Sequence, residues 1–288
     1  MSIYVTGATG ELGSLVITHL LKQMSASRIT AIVRNVEKAS SLAERGIEVR
    51  YGDYSDPASL AKAFAGASRL LFVSSSDSDD TNRIVQHANV VKAAKEAGVG
   101  HIAYTSFAFA EQSAIPLAHV HLATEHAIRT TGIPYTFLRN SLYTEVFVNP
   151  ALHASVEHGA VVTNTGTGTL NTATRNDLAA AAAEVLAGEG HENKTYTLVS
   201  DQTWSFDELA RIMSEITGKP IVHRAVSFAE QKSMLIHDAG LPEPVAGMIA
   251  GIYQAVAEGE TSKTSGDLRS LIGTPAPLKD TVKQVLQA

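Results

Sequence analysis

Short apolar runs alternate with amphipathic stretches through the first half of the chain, and glycines close several of the amphipathic ones. Residues 3–6 (Ile-Tyr-Val-Thr) read as a strand. The next stretch, 11–23, carries Leu12, Leu15, Val16, His19 and Leu20 at helical spacing. A strand over 29–33 follows, then a helix over 36–45 that Gly46 stops, because glycine tolerates the left-handed backbone of a helix end. Strand 47–50 leads to Asp56-Pro57, an N-cap with proline at the first helical position, and to a helix ending near Gly66. The rhythm then repeats: strand 69–73, helix 82–97 before Gly98, strand 101–105, helix 118–131 before Gly132, strand 135–139.

Six strand-then-helix units whose strands are apolar on both faces predict a parallel sheet with helices on both sides, a Rossmann-type doubly wound α/β fold. Beyond 140 the rhythm loosens. Strand-like segments at 160–163 and 195–199 are separated by helices, Trp204 opens another helical segment, and the two glycines of 163–169 read as turn positions. The expected organisation is a nucleotide-binding core over 1–140. Residues 141–288 would supply the last sheet strand or strands and a smaller substrate lobe, interleaved with the core.

At 288 residues, with 44% apolar and 18% charged positions, the chain can bury the core such a fold needs. It has no cysteine, which removes disulfides, thiolate catalysis and Cys-ligated metals. A net charge of −6 without a Lys/Arg cluster argues against a nucleic-acid partner. Met1-Ser2 runs straight into an apolar strand with no leader pattern, and no stretch approaches the ~18 apolar residues of a membrane span. A cytoplasmic protein without a membrane partner is expected.

The densest chemistry lies where the first strand meets the first helix, in Thr6-Gly7-Ala8-Thr9-Gly10-Glu11-Leu12-Gly13. A G-x-x-G-x-x-G turn lets the backbone approach a pyrophosphate and aims amides and a helix N-terminus at it. At the end of the second strand, where an acidic residue would hold the ribose of NAD, stands Arg34. A guanidinium there suits the 2′-phosphate of NADPH; a solvated strand-end arginine is the plainer alternative. Asp53 and Ser74-Ser75-Ser76 follow the third and fourth strands, at the edge where ligands bind in open α/β sheets. Asp53 serves equally as a turn residue, and the serines are read as facing the nicotinamide half of the cofactor.

The turn, together with 31–35 (Ala-Ile-Val-Arg-Asn), 101–106 (His-Ile-Ala-Tyr-Thr-Ser) and 134–140 (Pro-Tyr-Thr-Phe-Leu-Arg-Asn), resembles the NmrA-like branch of the atypical short-chain dehydrogenase/reductases. The likeness runs nearly the whole length. Segments 85–92, 115–125 and 191–196 resemble most the members that reduce quinones and cationic triarylmethane dyes. The resemblance implies that NADP(H) is held by Gly7 to Leu12, Arg34, the loop around Ser75 and Ser76, and Arg139-Asn140. It also implies that the partner is a small, flat aromatic acceptor.

One departure bears on mechanism. Ordinary short-chain reductases protonate a carbonyl oxygen with a Tyr-x-x-x-Lys pair, but here the matching stretch reads His121-Leu-Ala-Thr-Glu125. No side-chain acid is required in this reading. Ser106 and His121 are the candidate polar contacts, with Tyr104 expected on the strand's other face. His121 and Glu125 at i, i+4 lack the frame of a metal site, so no metal is expected. Phe107, Phe109, Tyr143, Phe147 and Trp204 are candidate pocket walls, although aromatics more often pack cores. An NADP-binding redox sensor without turnover is the alternative from another class, and self-association is left open.

Overall fold

The first strand, β1 (Ile3–Thr6), is buried at all four positions, as a strand in the middle of a layer covered on both faces must be. In the computed structural model, which describes residues 1–113 and 115–287, it is followed by α1 (Glu11–Leu20), β2 (Ile29–Val33), α2 (Ser40–Glu44), β3 (Glu48–Tyr51) and α3 (Pro57–Ala63). Next come β4 (Arg69–Phe72), α4 (Asp80–Glu96), β5 (Ile102–Phe107), α5 (Leu117–Thr130), β6 (Tyr135–Asn140), β7 (Leu142–Tyr143), α6 (Thr144–Phe147) and α7 (Leu152–His158). Then follow β8 (Ala160–Thr163), β9 (Thr169–Leu170), β10 (Thr172–Ala173), α8 (Arg175–Ala187), β11 (Lys194–Leu198), β12 (Trp204–Ser205) and α9 (Phe206–Thr217). The chain ends with β13 (Val222–Ala225), α10 (Phe228–His237), α11 (Glu243–Ala257), α12 (Asp267–Ile272) and α13 (Leu278–Gln287).

Seven strands form one parallel sheet in the order β11-β6-β5-β4-β1-β2-β3. The fold is the Rossmann-type α/β class expected. Helices α3, α4 and α5 pack side by side, and α1, α8 and α12 form a second group. The chain divides into two units: Met1–Ser141 with Arg175–Leu198 and Asp267–Gly273, and Leu142–Thr174 with Val199–Gly266 and Thr274–Ala288. The second unit has its own core, in which Phe147, Trp204, Phe206, Leu209 and Met213 meet. Its strands pair as β7 with β10, β9 with β12 and β8 with β13.

Four expectations change. The helix expected over 36–45 is a 3₁₀ turn at Glu37–Ala39 followed by the short α2; Asn35 Oδ1 accepts the Lys38 amide at 3.1 Å and closes a local turn instead. Strand β3 is not apolar on both faces, because it is the outermost strand and its ends, Glu48 and Tyr51, are exposed. Segment 160–163 pairs with β13, leaving β11 as the one later strand of the main sheet. Trp204-Ser205 pairs antiparallel with β9, and the Ser205 hydroxyl then caps α9 by accepting the Glu208 amide at 3.2 Å.

The residues His87, His101 and His121 are walled in, each at most 4% exposed. Burial, helped by nearby arginine charge, pushes His87 and His121 down to about 3 and His101 to about 4. The unfolded chain takes up protons at these sites below about pH 6.5 while the folded chain stays neutral. Their stability contribution is therefore complete above that pH and is lost in acid, by up to about 1.4 kcal/mol per pH unit per histidine. Thermal melts between about pH 7.5 and 5 should show Tm falling steeply below about pH 6. A flat Tm over that range would mean that the folded protein charges these rings.

Candidate functional site

The turn after β1 is built from backbone. Gly7 adopts φ +60°, the left-handed region that a side chain resists, and its carbonyl accepts the Gly10 amide at 2.9 Å. A Cβ on Gly13 would collide with that same carbonyl, so α1 starts this close only because residue 13 has none. Ala8 and Leu12 are buried and anchor the turn inward, whereas Gly7, Thr9, Gly10 and Glu11 are exposed. Gly10 is the N-cap of α1 and offers no side-chain cap. The first amides of the helix are left for a ligand, which fits an anion such as a pyrophosphate. The Thr6 hydroxyl is occupied: it donates to Leu71 O at 3.1 Å and accepts from the Val73 amide and the Tyr54 hydroxyl.

Arg34, one residue past β2, is exposed on the strand next to β1, and the Ala8 amide donates to Ile32 O at 3.4 Å, tying the turn to that strand. Asp53 is a turn residue, its Oδ1 accepting the Ser55 amide at 2.8 Å. After β4, the Ser74 amide donates to Thr105 Oγ1 and the Ser75 amide to His87 Nε2, both at 2.9 Å, while Ser76 is exposed. Because His87 Nε2 accepts, its Nδ1 carries the proton and donates to Thr124 Oγ1 at 2.8 Å. His87 thus holds the serine loop against α5, a role no feature of the sequence signals.

Ser106, His121, Glu125 and Arg139 come together at the ends of β5 and β6. The Ser106 hydroxyl donates to Glu125 Oε1 at 2.6 Å. Arg139 grips both Glu125 oxygens, at 2.9 and 2.7 Å, and both Glu111 oxygens, at 2.9 and 2.6 Å. Four of its five N–H donors are directed at carboxylates. Asn140 is buried, and its carbonyl accepts the Ala108 amide at 2.9 Å. The His121 Nδ1 lies 2.8 Å from the Tyr104 hydroxyl. Tyr104 is therefore not on the other face from Ser106: the two are two residues apart, and both side chains reach α5. Arg175, the first residue of α8, pairs with Glu11 at 2.9 Å, another contact that sequence spacing did not reveal.

The aromatic candidates divide between the units. In the first, Phe107 is half-buried and stacks on His121, centroids 6.0 Å apart and planes at 23°, while Phe109 is half-buried with φ +53°. In the second, Tyr143 is half-buried, whereas Phe147 and Trp204 are core side chains, the indole N–H donating to Thr172 Oγ1 at 2.9 Å. Among the described residues no group of three or more His, Cys, Asp or Glu side chains is placed to hold a metal ion, and no helix is long and apolar enough to cross a membrane.

A parallel sheet with an open glycine turn at its first strand-to-helix junction defines the Rossmann class of dinucleotide-binding proteins. The sequence profile of the NmrA-like family matches residues 1–276, and the chain belongs to that family. It is 43% identical over 273 residues to quinone oxidoreductase 2 of Escherichia coli, covering 95% of this chain and 94% of that one. The crystal structure of Citrobacter sp. triphenylmethane reductase complexed with NADP(H) is 66% identical, with a TM-score of 0.97 over 99% of this chain and 100% of that one. The NADPH complex of the E. coli NADPH-dependent quinone oxidoreductase is 41% identical, with a TM-score of 0.94 over 99% of each chain. The chain is an oxidoreductase of this family.

The two glycines should behave differently. Gly13→Ala pushes α1 off the turn and should cost about 1–3 kcal/mol of stability together with dinucleotide binding. Gly10 has ordinary backbone angles (φ −79°, ψ 167°), and a Cβ there would meet only Gly7 O at 3.2 Å. Gly10→Val should melt close to wild type yet lose the cofactor. Thermal melts paired with cofactor titration separate the two effects, and normal binding by both variants would move the cradle elsewhere.

Proposed function

We propose that this protein takes hydride from NADPH and delivers it to a flat, apolar acceptor, a cationic triphenylmethane dye or a quinone, without a side-chain acid. The carrying observation is the state of the two polar candidates. Ser106 points its proton at Glu125, and burial, with the charge of Arg83, keeps His121 neutral down to about 3. Neither is poised to protonate a substrate at neutral pH.

The acceptor chemistry matches. NADPH, when bound, supplies a hydride, and a carbocationic dye that receives it becomes a neutral product with no proton added. For a quinone, water can protonate the reduced oxygen afterwards. The protein's own part is orientation and the exclusion of water. Gly7 to Leu12 hold the pyrophosphate, Arg34 the 2′-phosphate, and the serine loop the nicotinamide half. Arg139 acts by fixing Glu125, not through a free guanidinium. Phe107, backed by His121, offers a ring face for the acceptor. This assignment is supported by the NADP(H) complexes and the dye- and quinone-reducing activities named for the relatives, and it suits a protein of the cytoplasm.

Arg34→Ala should weaken NADPH about ten- to a hundredfold, the effect of one lost charge-assisted contact, and leave NADH nearly unchanged. Equal losses for both cofactors would remove Arg34 from this role. Wild-type protein should decolourise crystal violet with NADPH, and Ser106→Ala and His121→Ala should stay within about tenfold of it, since a true general acid contributes about 10²–10⁴-fold. Absence of decolourisation and of quinone-dependent NADPH oxidation would overturn the reading.

A further inference from the structure

The first unit holds a further cation, Arg83, apart from the cofactor turn and the Arg139 network. Arg83 lies four residues before His87, on the same face of α4. Its side chain is only 11% exposed, its Nε is buried without a hydrogen-bond partner, and its one ionic contact among the described residues, with Asp80, is at 3.6 Å. Arg139, by comparison, directs four of its five N–H groups at carboxylates.

Register shows what Arg83 faces. Helices α4 and α5 pack side by side, and His87 bonds to Thr124. One turn back from that bond stand Arg83 on α4 and Val120 on α5, with His121 the next residue along. Its positive charge bears on His87, Tyr104 and His121, adding to burial in holding both imidazoles low. Beyond it the side chains run in sequence: the Tyr104 hydroxyl 2.8 Å from His121 Nδ1, then the His121 ring stacked on the half-buried Phe107 at the end of β5.

We propose that Arg83 is the residue that sets acceptor preference: acting through the Tyr104–His121 pair, it favours acceptors that develop negative charge on oxygen and disfavours cationic ones. The inference rests on the hydride-transfer reading above. With the Tyr104 hydroxyl donating to Nδ1, His121 carries its proton on Nε2 and presents a neutral N–H donor to a carbonyl oxygen at the Phe107 face. Hydride addition brings two electrons and one hydrogen to a quinone and leaves one carbonyl oxygen as an anion, which takes a proton from water. The overall balance is NADPH, quinone and a proton giving NADP⁺ and hydroquinone. His121 keeps its proton throughout, and the positive charge of Arg83, carried on a side chain only 11% exposed, stabilises the oxyanion. A dye cation gains nothing from that charge and is repelled by it.

The test compares Arg83→Met, Arg83→Gln and Arg83→Lys with the wild type. It reads the ratio of kcat/KM for a neutral quinone to that for crystal violet. A separate measurement, calorimetric binding of 2-hydroxy-1,4-naphthoquinone, an anion at neutral pH, needs no turnover. The uncharged variants should lower the ratio at least tenfold, with quinone activity falling and dye activity rising, and should weaken naphthoquinone binding. Arg83→Lys, which keeps the charge, should restore most of both. Parallel loss of quinone and dye activity with an unchanged ratio would reduce Arg83 to a packing residue and overturn the proposal, as would an unaltered ratio and affinity. If wild-type protein turned over neither acceptor, the hydride-transfer reading would fall, while naphthoquinone binding would still decide whether Arg83 senses acceptor charge.

Discussion

The approach of Gly13 to the carbonyl of Gly7 decides where everything at the C-terminal edge of the sheet can stand. With no Cβ at residue 13, α1 starts against the turn, its uncapped amides face outward, and the turn is tied to β2 through Ala8 and Ile32. Parallel pairing then carries that fixed point across the sheet, from β1 to β4, β4 to β5 and β5 to β6. The strand ends line up along one edge: the glycine turn, the serine loop, Phe107 and Asn140. Most of the chain is scaffold for that alignment.

A second layer of constraint is the buried polar network beneath the edge. His87 ties the serine loop to Thr124, Ser106 ties β5 to Glu125, and Arg139 bridges Glu125 to Glu111. A buried ion pair of this kind adds little net stability, but breaking one partner leaves an uncompensated charge, so the geometry is held firmly. The same contacts turn candidate proton donors inward. In the reading proposed above, polar groups so engaged suit acceptors whose reduction is completed by hydride alone or finished by solvent.

The fold was legible because its signals are local and repeated: buried runs, Asp56-Pro57, and glycines at helix ends that do adopt positive φ, such as Gly46, Gly98 and Gly132. The glycine turn was legible for the same reason. What the sequence hid depends on tertiary pairing. Nothing local marks β3 as an edge strand, and two-residue strands such as β7 and β12 carry no periodicity to detect. Alternation along β5 puts Tyr104 and Ser106 on one face, and it is this face that meets His121 and Glu125 of α5. The resemblance names Arg139 among the cofactor residues, and its two glutamate partners, 14 and 28 residues away, are joined to it by no local pattern; Arg83 carries no motif at all.

If hydride transfer proceeds without a proton from the protein, isotope effects on dye decolourisation under single-turnover conditions will show it. Deuterium at the transferred position of the nicotinamide should slow the step, whereas replacing water with heavy water should leave it essentially unchanged. A solvent effect as large as the effect of the labelled cofactor would mean that a proton moves in the same step, which would contradict the account.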